Sequence, residues 1–267
     1  MADIFETQAK IYAETRMKYP REWFALLAAL TPHHGVAWDA GTGNGQAAVG
    51  LADHYDRVVA TDVSEGQLRH AVPHPKIRYI HTPISMPEDD LVAKLGGEDS
   101  VDLVTVATAL HWFDLDKFYP VVERVLRKPG GVMAVWSYRE MRVSPSFDAL
   151  IQRLIASAEP FSNPNSRHIF EEYRNLPFPF DGVGVGAEGE PVALEMKMNA
   201  SFEWILRLLR TWSIVNIAKK QGINLLPAEV VEELEKAWGG RSLIREVTFP
   251  SFMIAGKPRT PATLREG

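Results

Sequence analysis

Residues 36–46 read Val36-Ala37-Trp38-Asp39-Ala40-Gly41-Thr42-Gly43-Asn44-Gly45-Gln46, and the fold follows from them. Val36 to Ala40 is a short buried strand. Three glycines at alternate positions then make a turn, and a helical segment runs from Gln46 to His54. Glycines between a strand and a helix let the backbone approach a ligand closely, at the positive end of the helix dipole. A tight turn that serves no ligand is the plainer reading, and the strand before and helix after weigh against it.

Working outward, the same alternation repeats. Val58–Thr61, Ile77–Ile80, Val101–Ala107 and Val132–Trp136 read as further strands, with helices over Glu65–Ala71 and Leu115–Leu126. Val101–Ala107 is almost unbroken in its apolar character, as strands covered on both faces are. Five strands alternating with helices predict a parallel, doubly wound α/β sheet. Residues 1–35 read as an N-terminal helical lid, with a break at Pro20 and an apolar stretch from Trp23 to Leu30. After 36–138, the core, the pattern changes. Phe147–Ala158 is helical, 159–191 is rich in Pro, Gly, Asn and Phe, and Glu203–Gln221 and Pro227–Trp238 are amphipathic helices. Val192–Met198 and Glu246–Ala255 are final strands. Residues 139–191 and 199–240 thus form a cap over the carboxyl edge of the sheet, where open α/β folds bind ligands. The whole chain, 1–267, reads as one domain.

Composition excludes several classes. With 29 Lys and Arg against 34 Asp and Glu the net charge is −5, and 46% hydrophobic with 24% charged residues is an ordinary globular balance. No general basic field draws in nucleic acid or anionic lipid. The absence of cysteine removes disulfides, thiolate metal sites and cysteine nucleophiles. No apolar run approaches the ~20 residues that span a bilayer, and the first ten residues lack a signal peptide's apolar core. The expectation is a cytoplasmic protein, monomer or homodimer, with no nucleic-acid or membrane partner. The histidines have no metal-ligand spacing, so no metal is expected.

Two ligand classes compete for the glycine turn. Gly43-Asn44-Gly45-Gln46-Ala47-Ala48 fits the dinucleotide fingerprint, and Asp62 lies 19 residues beyond Gly43. Asp39 points the other way. Two residues before the first glycine, its carboxylate repels a pyrophosphate and attracts a ligand bearing an ammonium and a sulfonium. S-adenosylmethionine carries both and no phosphate. Asp39 alternatively caps the glycine loop, or does both. Asp62, at the tip of the second strand, is placed to take two ribose hydroxyls, or to cap the helix that follows.

Asp39-x-Gly41-x-Gly43-x-Gly45, Asp62 and Leu126-Arg-Lys-Pro-Gly-Gly131 resemble the motifs of class I S-adenosylmethionine-dependent methyltransferases. Ala109-Leu-His-Trp-Phe-Asp114 and Tyr12-Ala13…Arg16…Tyr19-Pro20 are similar to the small-molecule subgroup that includes trans-aconitate methyltransferase and plant methyltransferase-like proteins. The resemblance implies a mostly parallel seven-stranded sheet with an antiparallel last strand and a helical cap. It also implies S-adenosyl-L-methionine as cofactor. Gly41, Thr42, Gly43, Asn44 and Gly45 then face the methionine moiety and Asp62 holds the ribose, with Val63 and Gln67 also among the cofactor contacts. Ile84 and Ser85 flank the adenine, Ala107 and Thr108 line the sulfonium side, and Tyr12 and Arg16 close over the cofactor. One departure is that Pro83-Ile84-Ser85 offers no acidic residue to the adenine amino group.

The remaining candidates concern the acceptor. His111 leaves the fourth strand where donor and acceptor must meet, and acts either as a general base or as a binding group. Trp112, Tyr138, Phe178 and Phe180 are candidate substrate contacts, although the phenylalanines suit the cap's own core equally. A small-molecule carboxylate or other oxygen is the expected acceptor. A small amine, or a nicotinamide-dependent oxidoreductase, is the alternative.

Overall fold

The computed structural model describes residues 17–259. The expected doubly wound sheet is present. β1 (Val36–Ala40), β2 (Arg57–Asp62), β3 (Ile77–His81), β4 (Leu103–Ala107) and β5 (Val132–Tyr138) are all parallel, in the order β3-β2-β1-β4-β5. β8 (Ile244–Pro258) adds to β5 antiparallel. Its other edge is shared by β7 (Val192–Ser201) and the short β6 (Phe180–Gly182). Seven strands therefore match the expected sheet, and the three-residue β6 extends it by an eighth.

Chain order reverses between β1 and β4, so their carboxyl ends open a crevice at the switch point. Both faces of the sheet are covered. On one, Trp136, Phe24, Leu51, Phe147 and Trp238 pack with the cap helices. On the other, Trp38, Val104, Phe118 and Val122 pack with Tyr173, Phe178 and Phe180. This double burial is why β4 and β5 read as continuous apolar runs.

Several boundaries differ from the sequence pattern for identifiable reasons. β4 begins at Leu103, because Asp102 turns its carboxylate to the amides of Gly35 and Val36 and to Arg127. The single helix expected over Glu203–Gln221 is two, Phe202–Arg210 and Ser213–Lys220. Side chains break it: Thr211 Oγ1 donates to Leu208 O, and Asn216 Nδ2 to Arg210 O and Trp212 O. A helix over Glu88–Leu95 went unread from the sequence. Its signals are three acids in the first turn, favoured by the helix dipole, and Gly96 in the left-handed conformation at its end. Among the described residues no helix is long and apolar enough to cross a membrane.

Candidate active site

The glycine turn leaves β1 at the crevice with Gly41, Gly43 and Gly45 all at positive φ (69°, 58° and 90°). The three open onto different neighbours. A Cβ on Gly45 would overlap the Tyr79 hydroxyl, and one on Gly41 would lie 2.8 Å from the Ala109 Cβ. Only Gly43 faces open space, with Gln67 Oε1 at 4.0 Å as its nearest neighbour. Two of the glycines therefore admit other parts of the protein, and the third opens onto unfilled space.

Asp39 sits behind this turn, wholly buried. Thr42 Oγ1 donates to one carboxylate oxygen at 2.5 Å and Thr105 Oγ1 to the other at 2.7 Å. The second contact follows from register, since Asp39 and Thr105 are partners across β1 and β4. Burial raises its pKa to about 6, against the lowering effect of the two hydroxyls. The carboxylate thus ties the loop to β4, which is the capping role.

Asp62 ends β2 beside it. One carboxylate oxygen accepts from Gly43 N and the other from Ser64 N, both at 2.8 Å. Burial raises its pKa and the two amides oppose that rise. The helix Glu65–Arg69 is capped by Ser64, whose hydroxyl accepts from Gln67 N. Asp62 is thereby released from the capping alternative. Two buried side-chain oxygens around Gly43, Asn44 Oδ1 and Gln67 Oε1, have no partner. Orphaned buried polar atoms are uncommon and ask for a ligand. Val63 and Ile84 stand 49% and 95% exposed at the same lip, with Ser85 exposed beside them. This combination of unsatisfied oxygens, a carboxylate and bare apolar surface fits an adenosyl ligand. Tyr12 and Arg16 lie outside the described residues.

β4 ends at Ala107, and the next residue, Thr108, holds φ at 56°. A β-branched residue there is strained, and such strain persists only where the surroundings impose it. Its amide donates to Trp136 O, and its hydroxyl pairs with Tyr19 Oη at 3.2 Å. Thr108, His111, Trp112 and Tyr138 line a cavity of about 620 Å³, within the usual range for small-ligand sites. Arg139, Glu140, Ile155, Leu208, Trp212 and Phe249 are further wall residues. Gly41 abuts Ala109, so the turn and the cavity meet at the loop after β4.

His111 is 6% exposed, and its Nδ1 lies 2.7 Å from Tyr173 Oη. Burial, with a lesser contribution from His168, lowers its pKa to about 3. It is neutral at physiological pH and a weak base.

Phe178 and Phe180 are corrections. Both are 2% exposed, lie in the core beneath the sheet and do not line the cavity. Phe180 packs edge-on to Tyr119, whose hydroxyl donates to Pro177 O. Burying each is worth about 1.5–3 kcal/mol, which fixes the cap to the sheet. Trp212 packs against the core of the cap and also lines the cavity. Arg139 and Glu140 were missed. Their signal was their place after β5, at the carboxyl edge of the sheet. Arg139 Nε and Glu140 Oε2 are buried without partners. The Arg139 guanidinium reaches Glu140 and Glu172 only at 3.6 and 3.5 Å.

Residues 38–135 match the methyltransferase domain family. A solved structure described as a "putative type II methyltransferase" from Anaeromyxobacter dehalogenans is 37% identical, covering 91% of this chain and 99% of that one, with a TM-score of 0.77. A "putative methyltransferase" of Dictyostelium discoideum is 28% identical over 266 residues, 96% of this chain and 95% of the other.

Proposed function

Since the chain belongs to the class I S-adenosylmethionine-dependent methyltransferases, we propose that it methylates an oxygen of a small, largely apolar carboxylic acid. The observation that carries this reading is Arg139. On the wall of a cavity that mixes aromatic and aliphatic residues with polar ones, Glu140, Glu159 and Arg167 among them, its Nε is buried and unpartnered, and its ion pairs are long. The Nε–Nη2 edge of a guanidinium is the face that takes a carboxylate bidentately.

S-adenosylmethionine, when bound, supplies a methyl group already activated by its sulfonium. The protein's own work is then binding, alignment and exclusion of water. Asp62 keeps lone pairs beyond those given to Gly43 and Ser64, enough for ribose hydroxyls. Asn44 and Gln67 offer their unsatisfied oxygens beside Gly43. Val63 and Ile84 offer exposed apolar surface for the adenine, with the exposed Ser85 hydroxyl next to Ile84. A carboxylate acceptor is ionised at neutral pH and needs no base. That agrees with a His111 whose pKa burial has lowered to about 3.

A second reading, N-methylation of a small amine, is favoured by one observation, the buried and unpartnered Oε2 of Glu140 on the same wall. Incubation with methyl-labelled cofactor and matched sets of acids, amides and amines decides between them. Label in the acids supports the first reading, and label confined to the amines overturns it.

A further inference from the structure

We infer that Tyr173 donates its hydroxyl proton to Nδ1 of His111, fixing the imidazole as the Nε2–H tautomer and presenting a hydrogen-bond donor, rather than a base, to the cavity. Tyr173 is 1% exposed, and its oxygen lies 2.7 Å from Nδ1. The buried Ser137 hydroxyl acts on the phenol oxygen as a hydrogen-bond donor, the sense that lowers the Tyr173 pKa, at a reach longer than a normal bond, and it has no other partner. If Nδ1 carried the proton, the phenol would be the acceptor and its own proton would be left buried and unpaired. Leaving a buried donor unsatisfied is the expensive arrangement. With the lone pair on Nδ1, both groups are satisfied by one bond. A neutral imidazole then carries its proton on Nε2. Among the described residues Nε2 has no hydrogen-bond partner, and His111 lines the cavity.

The backbone around Tyr173 indicates that its position is imposed. Glu172 and Tyr173 hold consecutive φ values of 55° and 58°, a conformation that side-chain-bearing residues adopt only under constraint. The constraint is visible. Tyr173 N donates to His168 O at 2.8 Å, and the ring packs edge-on against Phe252 at 5.0 Å. Glu172 is paired with Arg139 and Arg174. Tyr173 is thus a positioning residue that acts through His111. The consequence for chemistry, that Nε2–H meets an oxygen lone pair of the acceptor, rests on the cavity being the acceptor site.

Nitrogen NMR of protein labelled at histidine tests the tautomer with no acceptor present, the His111 signals being identified by their loss in His111→Gln. At pH 7 the expected pattern is an unprotonated Nδ1 and a protonated Nε2. In Tyr173→Phe the expected change is loss of that fixed pattern, with the two nitrogens shifting toward averaged values. A protonated Nδ1 in the wild type overturns the inference, as does an averaged pair. An unchanged pattern in a folded Tyr173→Phe overturns the role of Tyr173. If that variant does not fold, the wild-type spectrum still decides. None of these results bears on the acceptor class, which the labelled-methyl experiment settles separately.

Discussion

Asp62 Oδ2 accepts a 2.8 Å hydrogen bond from the amide of Gly43, the one glycine of the turn that opens onto unfilled space. The tip of β2 therefore holds the loop leaving β1 in the shape that admits a ligand. Its Oδ1 is engaged with Ser64 N, so a single side chain ties the glycine turn to the start of the next helix.

Asp62→Ala is expected to weaken S-adenosylmethionine binding by about 2–3 kcal/mol, the scale of lost charge-assisted hydrogen bonds. Asp62→Asn, which keeps an acceptor for Gly43, should lose less. Calorimetry on the folded variants measures both, and an unchanged dissociation constant in Asp62→Ala would place the ribose elsewhere.

Gly43→Ala and Gly45→Ala separate ligand space from packing space. Each puts a Cβ at positive φ, at a cost of roughly 1–2 kcal/mol. The Gly45 variant also drives that Cβ into Tyr79, whereas the Gly43 variant fills only the opening. Thermal denaturation without cofactor should show the larger loss in Gly45→Ala, and cofactor titration the larger loss of affinity, relative to stability, in Gly43→Ala. Equal losses by both measures would contradict the division.

His111 has a pKa lowered to about 3 by burial, so its neutral form is the one the fold favours. Between pH 3 and its ordinary value of ~6.5 the unfolded chain binds the extra proton. Its contribution to stability is therefore complete above about 6.5 and declines as pH falls toward 3. Between pH 5.5 and 8 the wild-type kcat/KM should show no limb that His111→Gln abolishes. A limb near pH 6.5, present in wild type and absent in the variant, would make His111 a base.

Arg139→Gln is expected to raise KM for an acid acceptor by roughly 10- to 100-fold, as befits about 1.5–3 kcal/mol for a charged hydrogen bond. The cofactor dissociation constant should hold, because Arg139 lies on the cavity wall and not at the glycine turn. Steady-state kinetics beside cofactor titration checks both. A variant with unchanged KM removes Arg139 from acceptor recognition.

Much of this was legible in the chain. The strand, the three glycines and Asp62 form one local pattern of period and spacing, and β1 to β5 lie where apolar runs placed them. The acceptor side was less legible because its contacts are distant in sequence. Tyr173 meets His111 across 62 positions, through two residues in a conformation that no pattern of side chains announces. Phe178 and Phe180 read as pocket residues because apolarity does not say which side of a cap is filled. Thr211 and Asn216 broke a helix that hydrophobic periodicity alone continued. Asp39 combined both lessons: its position was read correctly, while its partner Thr105 comes from a neighbouring strand.

The central claim is that the transferred methyl reaches a carboxylate oxygen, and the base-lability of the product tests it most directly. Enzyme, methyl-labelled S-adenosylmethionine and a panel of small aromatic and aliphatic acids with their amide and amine counterparts are incubated, and the labelled products are treated with mild alkali. The account predicts label only with the acids, released by alkali as a methyl ester requires. Alkali-stable label, carried by an amine or an alcohol, would contradict it.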